Sequence, residues 1–215
     1  MRVPVVFVVL GLLVPAAALA AKGDPQKQIN AADQARAKTM LLRSSDLPGF
    51  RVSRSGSNES HPYCGALDES DLTLTGEAES PSFSAGPVFV SSDSTVYESA
   101  GDASASWRRG TSAAGRKCLT DVIRQEFAKQ NVELLSFRKV PFPHFAQRTV
   151  AYRMVLSGAS QGISVKVVFD IVAMSAARAQ AFVYLGSAFV APGHAAELHL
   201  ARLVAGRMTK AMRGA

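Results

Sequence analysis

The sequence predicts an α+β domain: an antiparallel β-sheet, with a meander in its C-terminal half, flanked by helices and carrying one disulfide. Three runs rich in Val, Ile, Phe and Tyr follow one another between residues 147 and 190, which predicts neighbouring antiparallel strands. Segments with helical periodicity precede and follow these runs. The chain contains two cysteines, enough for a single bridge.

The N-terminus is typical of a secretory signal peptide. Residues 1–20 contain one basic residue, a long apolar run and the small-residue pattern Ala18-Leu19-Ala20. We therefore expect a secreted, extracytoplasmic protein cleaved near residue 20, with an uncleaved membrane anchor as the alternative. The first cysteine is Cys64, so we expect no lipid-attachment cysteine after the signal.

The rest of the chain is long enough for one domain. A polar linker, residues 21–30, is expected to lead into a single α+β domain at residues 31–213. A helix is predicted over 29–45, ending before the Pro-Gly pair at 48–49. Strand-like runs interrupted by turn residues follow over 50–97.

The second half of the domain begins with a helical stretch. Asp102 is predicted to cap it, and its continuation over 111–130 places Cys118, Val122 and Ile123 along one side. Further strands are then predicted over 131–140, 147–157, 163–174 and 179–190.

The last helix is predicted over residues 195–213 and is amphipathic. One side is apolar, with Leu200, Leu203, Val204, Met208 and Ala211. The opposite side is basic, with Arg202, Lys210 and Arg213. We expect this helix to pack on the sheet with its basic side in water; contact with a membrane surface is the alternative.

The two cysteines are expected to form a structural disulfide between Cys64 and Cys118, because an exporting route leads to an oxidising compartment. Two free thiols are the alternative. Such a bridge would stabilise the fold by about 4 kcal/mol on chain-entropy grounds. The histidines suggest no metal site, since a helix would turn His194 and His199, five residues apart, away from each other, and His61 has only Cys64 nearby. No metal or other cofactor is expected.

The charge distribution is basic but scattered. The formal net charge is +7. The basic residues outside the signal are spread along the chain, including Arg108, Arg109, Arg116, Lys117, Arg138, Lys139, Arg202, Arg207, Lys210 and Arg213. No basic run interleaved with aromatics indicates a nucleic-acid groove, so we expect a solvated basic surface and no nucleic-acid partner.

The segment GASQG, residues 158–162, has the Gly-x-Ser-x-Gly form of a serine-hydrolase nucleophile elbow. That elbow requires a strand before the serine and a helix after it, whereas strand-like runs flank this motif on both sides. Gly158 and Gly162 are therefore predicted to be turn residues of a hairpin. The hydrolase order of nucleophile, acid and base is also present, as Ser160, Asp170 and then His194 or His199. We expect no catalysis by Ser160.

The order of elements resembles that of a group of actinobacterial exported proteins. The resemblance lies in a helix ending in SDLPGF, the segment VYESAGDASASWRRG before the second cysteine, a strand meander and the closing helix LARLVAGRM. It points to the extracellular sensor domain of PknH-type kinases and to the LpqN-like proteins of the Mog1/PsbP-like fold. It implies an antiparallel sheet flanked by helices, no catalytic residues, and a cleft for a ligand or partner.

These observations predict an exported, non-enzymatic binding or sensor-like protein of the bacterial cell envelope. Its partner would be a small apolar or amphiphilic ligand, or a cell-envelope component, held between sheet and helices. Trp107 is expected either in the core or lining that cleft. The alternatives are a small secreted serine hydrolase using Ser160, and a structural envelope protein without a ligand. No binding residue can be named from the sequence.

Overall fold

A nine-stranded sheet forms the centre of the fold. The structure is a computed structural model that describes residues 22–53, 63–160, 163–189 and 191–213, so the predicted signal peptide, residues 1–20, and His61 lie outside the described residues. The strands are β1 (Gln26–Lys27), β2 (Arg51–Ser53), β3 (Thr73–Glu79), β4 (Ser82–Ala85), β5 (Val88–Tyr97), β6 (Val132–Val140), β7 (Arg148–Ser160), β8 (Ile163–Ala176) and β9 (Ala179–Ala188).

Four α-helices accompany the sheet in the described part of the chain, and the predicted α+β class is confirmed. They are α1 (Ala31–Met40), α2 (Ala100–Thr111), α3 (Ala113–Ala128) and α4 (His194–Met212). The main strand order is β1-β3-β5-β9-β8-β7-β6, with β4 paired to both β5 and β2. The predicted antiparallel meander is also confirmed, because β6, β7, β8 and β9 pair consecutively and antiparallel.

One face of the sheet packs against α1 and α4. Alternate residues of the central strands point to this face, among them Val172 and Met174 of β8, and both are fully buried. From α4, the predicted apolar side supplies Leu200, Val204 and Met208 to the same core. The last helix therefore docks on the sheet through the stripe that the sequence indicates.

The opposite face of the sheet lies under α2 and α3. The predicted disulfide is present between Cys64 and Cys118, whose Cα atoms are 6.1 Å apart, and it ties the segment before β3 to α3. The predicted cap at Asp102 is wrong. Ser99 caps α2 by accepting a hydrogen bond from the backbone N–H of Asp102, while the Asp102 carboxylate accepts from the backbone N–H of Thr73. A serine three residues earlier is thus the better-placed acceptor.

The first helix is shorter than predicted. α1 ends at Met40 because Leu41 takes an extended conformation and is buried with Leu42. The residues after it, predicted as helical to 45, instead lead into a one-turn 3-10 helix at Ser44–Asp46. The predicted linker contains β1, whose backbone pairs in parallel with β3.

The contact between α2 and α3 depends on a glycine. A methyl group on Gly115 would lie 2.0 Å from the carbonyl oxygen of Arg109, whereas one on Gly110 would meet nothing within 4 Å. We expect Gly115→Ala to lower the free energy of unfolding by about 1–3 kcal/mol through overpacking. Gly110→Ala, the matched control, should leave it unchanged or raise it by up to about 1 kcal/mol. Urea unfolding monitored by circular dichroism measures both, and equal midpoints for the two variants would refute the close approach.

Candidate functional site

The serine of the GASQG motif lies at the end of a strand. Ser160 is the last residue of β7 and pairs with Ile163, the first residue of β8, so a strand rather than a helix follows the motif. The predicted strand-to-strand context is confirmed. The prediction of Gly158 as a turn residue is wrong: it lies within β7, paired with Val165 and Val132, because the pairing of β7 and β8 extends to Ser160. Gly162 lies outside the described residues.

The other residues of the hydrolase pattern are engaged elsewhere. Asp170 is fully buried in β8, and its two carboxylate oxygens each accept a hydrogen bond of 2.7 Å from the Arg153 guanidinium. In α4, Nδ1 of His194 lies 3.2 Å from Oε2 of Glu197, and His199 is exposed. The structure therefore does not assemble Asp170 and His194 into the arrangement that a serine nucleophile requires.

An apolar surface lies on the sheet face that α2 and α3 share. It consists of five half-buried side chains, here called the aromatic face: Phe89, Phe169, Ile171, Phe182 and Tyr184. They occupy alternate positions of β5, β8 and β9 and point away from α4. The aromatic rings among them are in contact. The ring centroids of Phe89 and Phe169 are 5.5 Å apart, and those of Phe169 and Tyr184 are 6.0 Å apart. The aromatic face is therefore continuous.

A glycine in β9 makes this packing possible. Gly186 pairs with Phe89 on one side and with Phe169 on the other. A methyl group at Gly186 would lie 1.7 Å from the Phe89 ring, so the ring rests directly on the backbone of β9. Aromatic cover of a strand glycine is a known way to pack such a position.

The two helices cover the borders of the aromatic face. Near α2, Trp107 packs on Val150, Tyr152 and Ala173, and Phe182 contacts the same cluster. Near α3, Phe127 packs with three residues of β6 and β7, namely Leu134, Met154 and Leu156, and Phe169 contacts that cluster. The aromatic face bridges these two clusters and remains half-exposed between them. Trp107 thus packs on the sheet at the border of the aromatic face.

One end of the aromatic face meets a buried carboxylate, that of Asp93. The Tyr184 hydroxyl donates a hydrogen bond of 2.7 Å to Oδ2 of Asp93, while Oδ1 of Asp93 is shielded from solvent and has no hydrogen-bond partner among the described residues. Burial raises the pKa of Asp93 to about 7, and Glu79 acts in the same direction, whereas the bond from Tyr184 acts against it. Burial also raises the pKa of Tyr184.

Asp93 also borders a cavity at the β3 edge of the sheet, here called the acidic recess. Its volume is about 410 Å³, and its lining consists of Gln34, Lys38, Glu77, Ala78, Glu79, Asp93, Ser94 and Thr95. Small-molecule sites begin at about 300 Å³. Within the described ranges, no group of three or more His, Cys, Asp or Glu residues is arranged to hold a metal ion, and no helix is long and apolar enough to cross a membrane.

Comparison with known proteins gives structural likenesses only. No protein-family model and no curated protein sequence matches the chain. The extracellular domain of PknH from Mycobacterium tuberculosis is similar at 12% identity and a TM-score of 0.38, over 82% of this chain and 96% of that one. LpqN, involved in cell envelope biogenesis of the same organism, is similar at 11% identity and a TM-score of 0.27, over 73% and 87%.

A third solved structure is a protein of unknown function from Pseudomonas aeruginosa, PA94, a putative regulator by its description. It is 11% identical, with a TM-score of 0.24, over 77% of this chain and 95% of that one. PknH and LpqN represent the two groups that the sequence resembles. None of these likenesses transfers a function or a binding residue to this chain.

The raised pKa of Asp93 predicts a pH-dependent stability. Its ordinary value is 3.8 and its folded value about 7, so its contribution to stability is greatest below about pH 4 and is lost as pH rises through 7. Asp93→Asn removes this loss. The free energy of unfolding of the variant relative to the native protein should rise by on the order of 2 kcal/mol between about pH 5 and pH 8.

Urea unfolding at a series of pH values measures this difference. Asp121→Asn is the control: Lys117 lowers the pKa of this carboxyl on α3, so its effect on stability should not change over that pH interval. A pH-independent effect of Asp93→Asn would show that Asp93 is ionised throughout.

Proposed function

We propose that this chain is an exported, non-enzymatic binding protein of the bacterial cell envelope that holds an apolar or amphiphilic ligand against its aromatic face. The observation that carries the proposal is the aromatic face itself, where five large apolar side chains remain half-exposed together. Contiguous apolar surface of this kind is characteristic of binding sites.

The composition of the aromatic face supports a ligand role. Phenylalanine and tyrosine offer a large contact area with few rotatable bonds, so little conformational entropy is lost when a ligand is bound. The rings already pack against one another, as in the stacked pair of Phe182 and Tyr184, whose ring centroids are 6.3 Å apart. A ligand would therefore meet a preorganised surface.

The surroundings of Ser160 give the hydrolase alternative no support. A strand follows the serine, so the motif lacks the helix whose first amides would hold an oxyanion. The carboxylate that the chain order assigned as the acid, Asp170, is paired with Arg153. Export is supported by the signal-like N-terminus, and the disulfide between Cys64 and Cys118 suits an oxidising compartment.

Ligand binding by the aromatic face is tested with an uncharged fluorescent probe, N-phenyl-1-naphthylamine, titrated into the mature protein. Phe169→Ala removes the ring that contacts both Phe89 and Tyr184 and should weaken probe binding about tenfold. Phe142→Ala is the matched control, because this half-buried ring packs beside Phe145 and His194 on the side of α4.

Equal weakening by the two variants, or no probe binding by the native protein, would contradict the proposal. Thermal unfolding of each variant shows whether a loss of binding reflects a loss of folding. Native mass spectrometry of the mature protein from its own organism then identifies whatever copurifies with it.

A further inference from the structure

The polar groups where the aromatic face meets the acidic recess are hydrogen-bond acceptors. The proton of the Tyr184 hydroxyl is used in the bond to Oδ2 of Asp93, so the Tyr184 oxygen offers only its lone pairs. Oδ1 of Asp93 is shielded and accepts no hydrogen bond from the described residues. An acceptor left unpaired in this position favours a ligand that brings a donor.

Two of the protein's own donors around the recess, on Gln34 and Lys27, are committed, whereas the buried Thr95 hydroxyl in its lining has no hydrogen-bond partner among the described residues. The side-chain amide of Gln34 donates to the backbone carbonyl of Glu77 and accepts from its N–H, at 2.7 and 3.1 Å. Lys27 pairs with the Glu77 carboxylate at 2.7 Å. Lys38 also lines the recess, but it lies exposed on α1. Glu79 stands beside Asp93 in the strand register, which adds a second carboxylate next to Asp93.

The recess and the aromatic face are contiguous through strand pairing. Asp93 is the direct neighbour of Phe182 across the β5–β9 pair, and it is bonded to Tyr184 two residues further along β9. A ligand whose apolar part lies on these rings therefore has its end within one strand spacing of the Asp93 carboxylate.

We infer that the ligand is a cationic amphiphile whose protonated amine lies in the acidic recess, at Asp93 and Glu79, and whose hydrocarbon part lies on the aromatic face. This inference rests on the proposed function and adds the chemistry of the head group to it. An ammonium group supplies three donors and a positive charge, which complements an unpaired carboxylate oxygen. A sulfate or carboxylate head would instead meet like charge.

The test compares three amphiphiles with the same chain: decylammonium, decyl maltoside and decyl sulfate. Each is added at pH 8, where Asp93 with its pKa of about 7 is ionised and the alkylamine is still protonated, and below its micellar concentration, to displace N-phenyl-1-naphthylamine from the mature protein. Decylammonium should bind about tenfold more tightly than the maltoside, and the sulfate more weakly than either. The formal net charge of +7 would by itself favour the sulfate, so a preference for the ammonium must arise locally.

Variants separate the head group from the apolar contact. Asp93→Asn and Glu79→Gln should each reduce the ammonium preference several-fold without changing binding of the maltoside. Asp121→Asn removes the same charge from an exposed ion pair on α3 and should leave the preference intact. Phe169→Ala should weaken all three amphiphiles alike.

The outcomes distinguish the two proposals. Equal affinities, a preference for the sulfate, or an equal effect of Asp93→Asn and Asp121→Asn would overturn the head-group inference while the apolar site stands. Failure of the probe and of all three amphiphiles to bind the native protein would overturn the proposed function itself. Circular dichroism on each variant establishes that it is folded.

Discussion

The position of the first helix depends on a buried ion pair between Asp33 and Arg178. Asp33 is 3% exposed, and both of its oxygens accept 2.7 Å bonds from Arg178, which also donates to the carbonyl of Tyr97. The guanidinium holds the pKa of Asp33 well below its usual range. α1 approaches β3 so closely that a methyl group on Gly76 would lie 2.5 Å from the Asp33 backbone. Loss of Asp33 would leave Arg178 without its carboxylate partner, whereas loss of Arg178 would leave Asp33 with one cation, Arg36, whose Nη1 lies 2.6 Å from Oδ1.

The same device recurs elsewhere in the fold. Arg207 of α4 donates hydrogen bonds to both carboxylate oxygens of Asp46 and to the carbonyl of Leu41. Arg109 of α2 likewise donates to both carboxylate oxygens of Asp71 and to the carbonyl of Asp68. Each planar fork joins a helix to a segment far away in sequence. The expectation that the scattered basic residues form a solvated surface is therefore wrong for Arg207, whose partner Asp46 has a side chain that is 7% exposed, whereas the Arg109–Asp71 pair lies at the surface with the Asp71 side chain 63% exposed.

The sequence predicts the meander well because β7, β8 and β9 are long and rich in β-branched and aromatic residues. It does not predict β4, whose four residues carry too little periodicity. The ion pair of Asp33 with Arg178 joins residues 145 apart, so it depends on the completed topology rather than on any local pattern. The aromatic face likewise cannot be predicted from the sequence. Both faces of β8 are apolar, so no alternation of apolar and polar residues distinguishes the buried face from the half-buried one.

A sheet whose central strands are apolar on both faces calls for cover on both faces. α1 and α4 bury one face fully at Val172 and Met174, whereas α2 and α3 reach only the borders of the other. These two helices are anchored where they lie: the Cys64–Cys118 disulfide holds α3, and the buried side chain of Gln180 donates to the carbonyl of Ala103 in α2. The disulfide and this hydrogen bond thus hold α2 and α3 at the borders of the aromatic face, which leaves the sheet surface between them uncovered. Under the proposed function, a bound ligand would supply the missing cover.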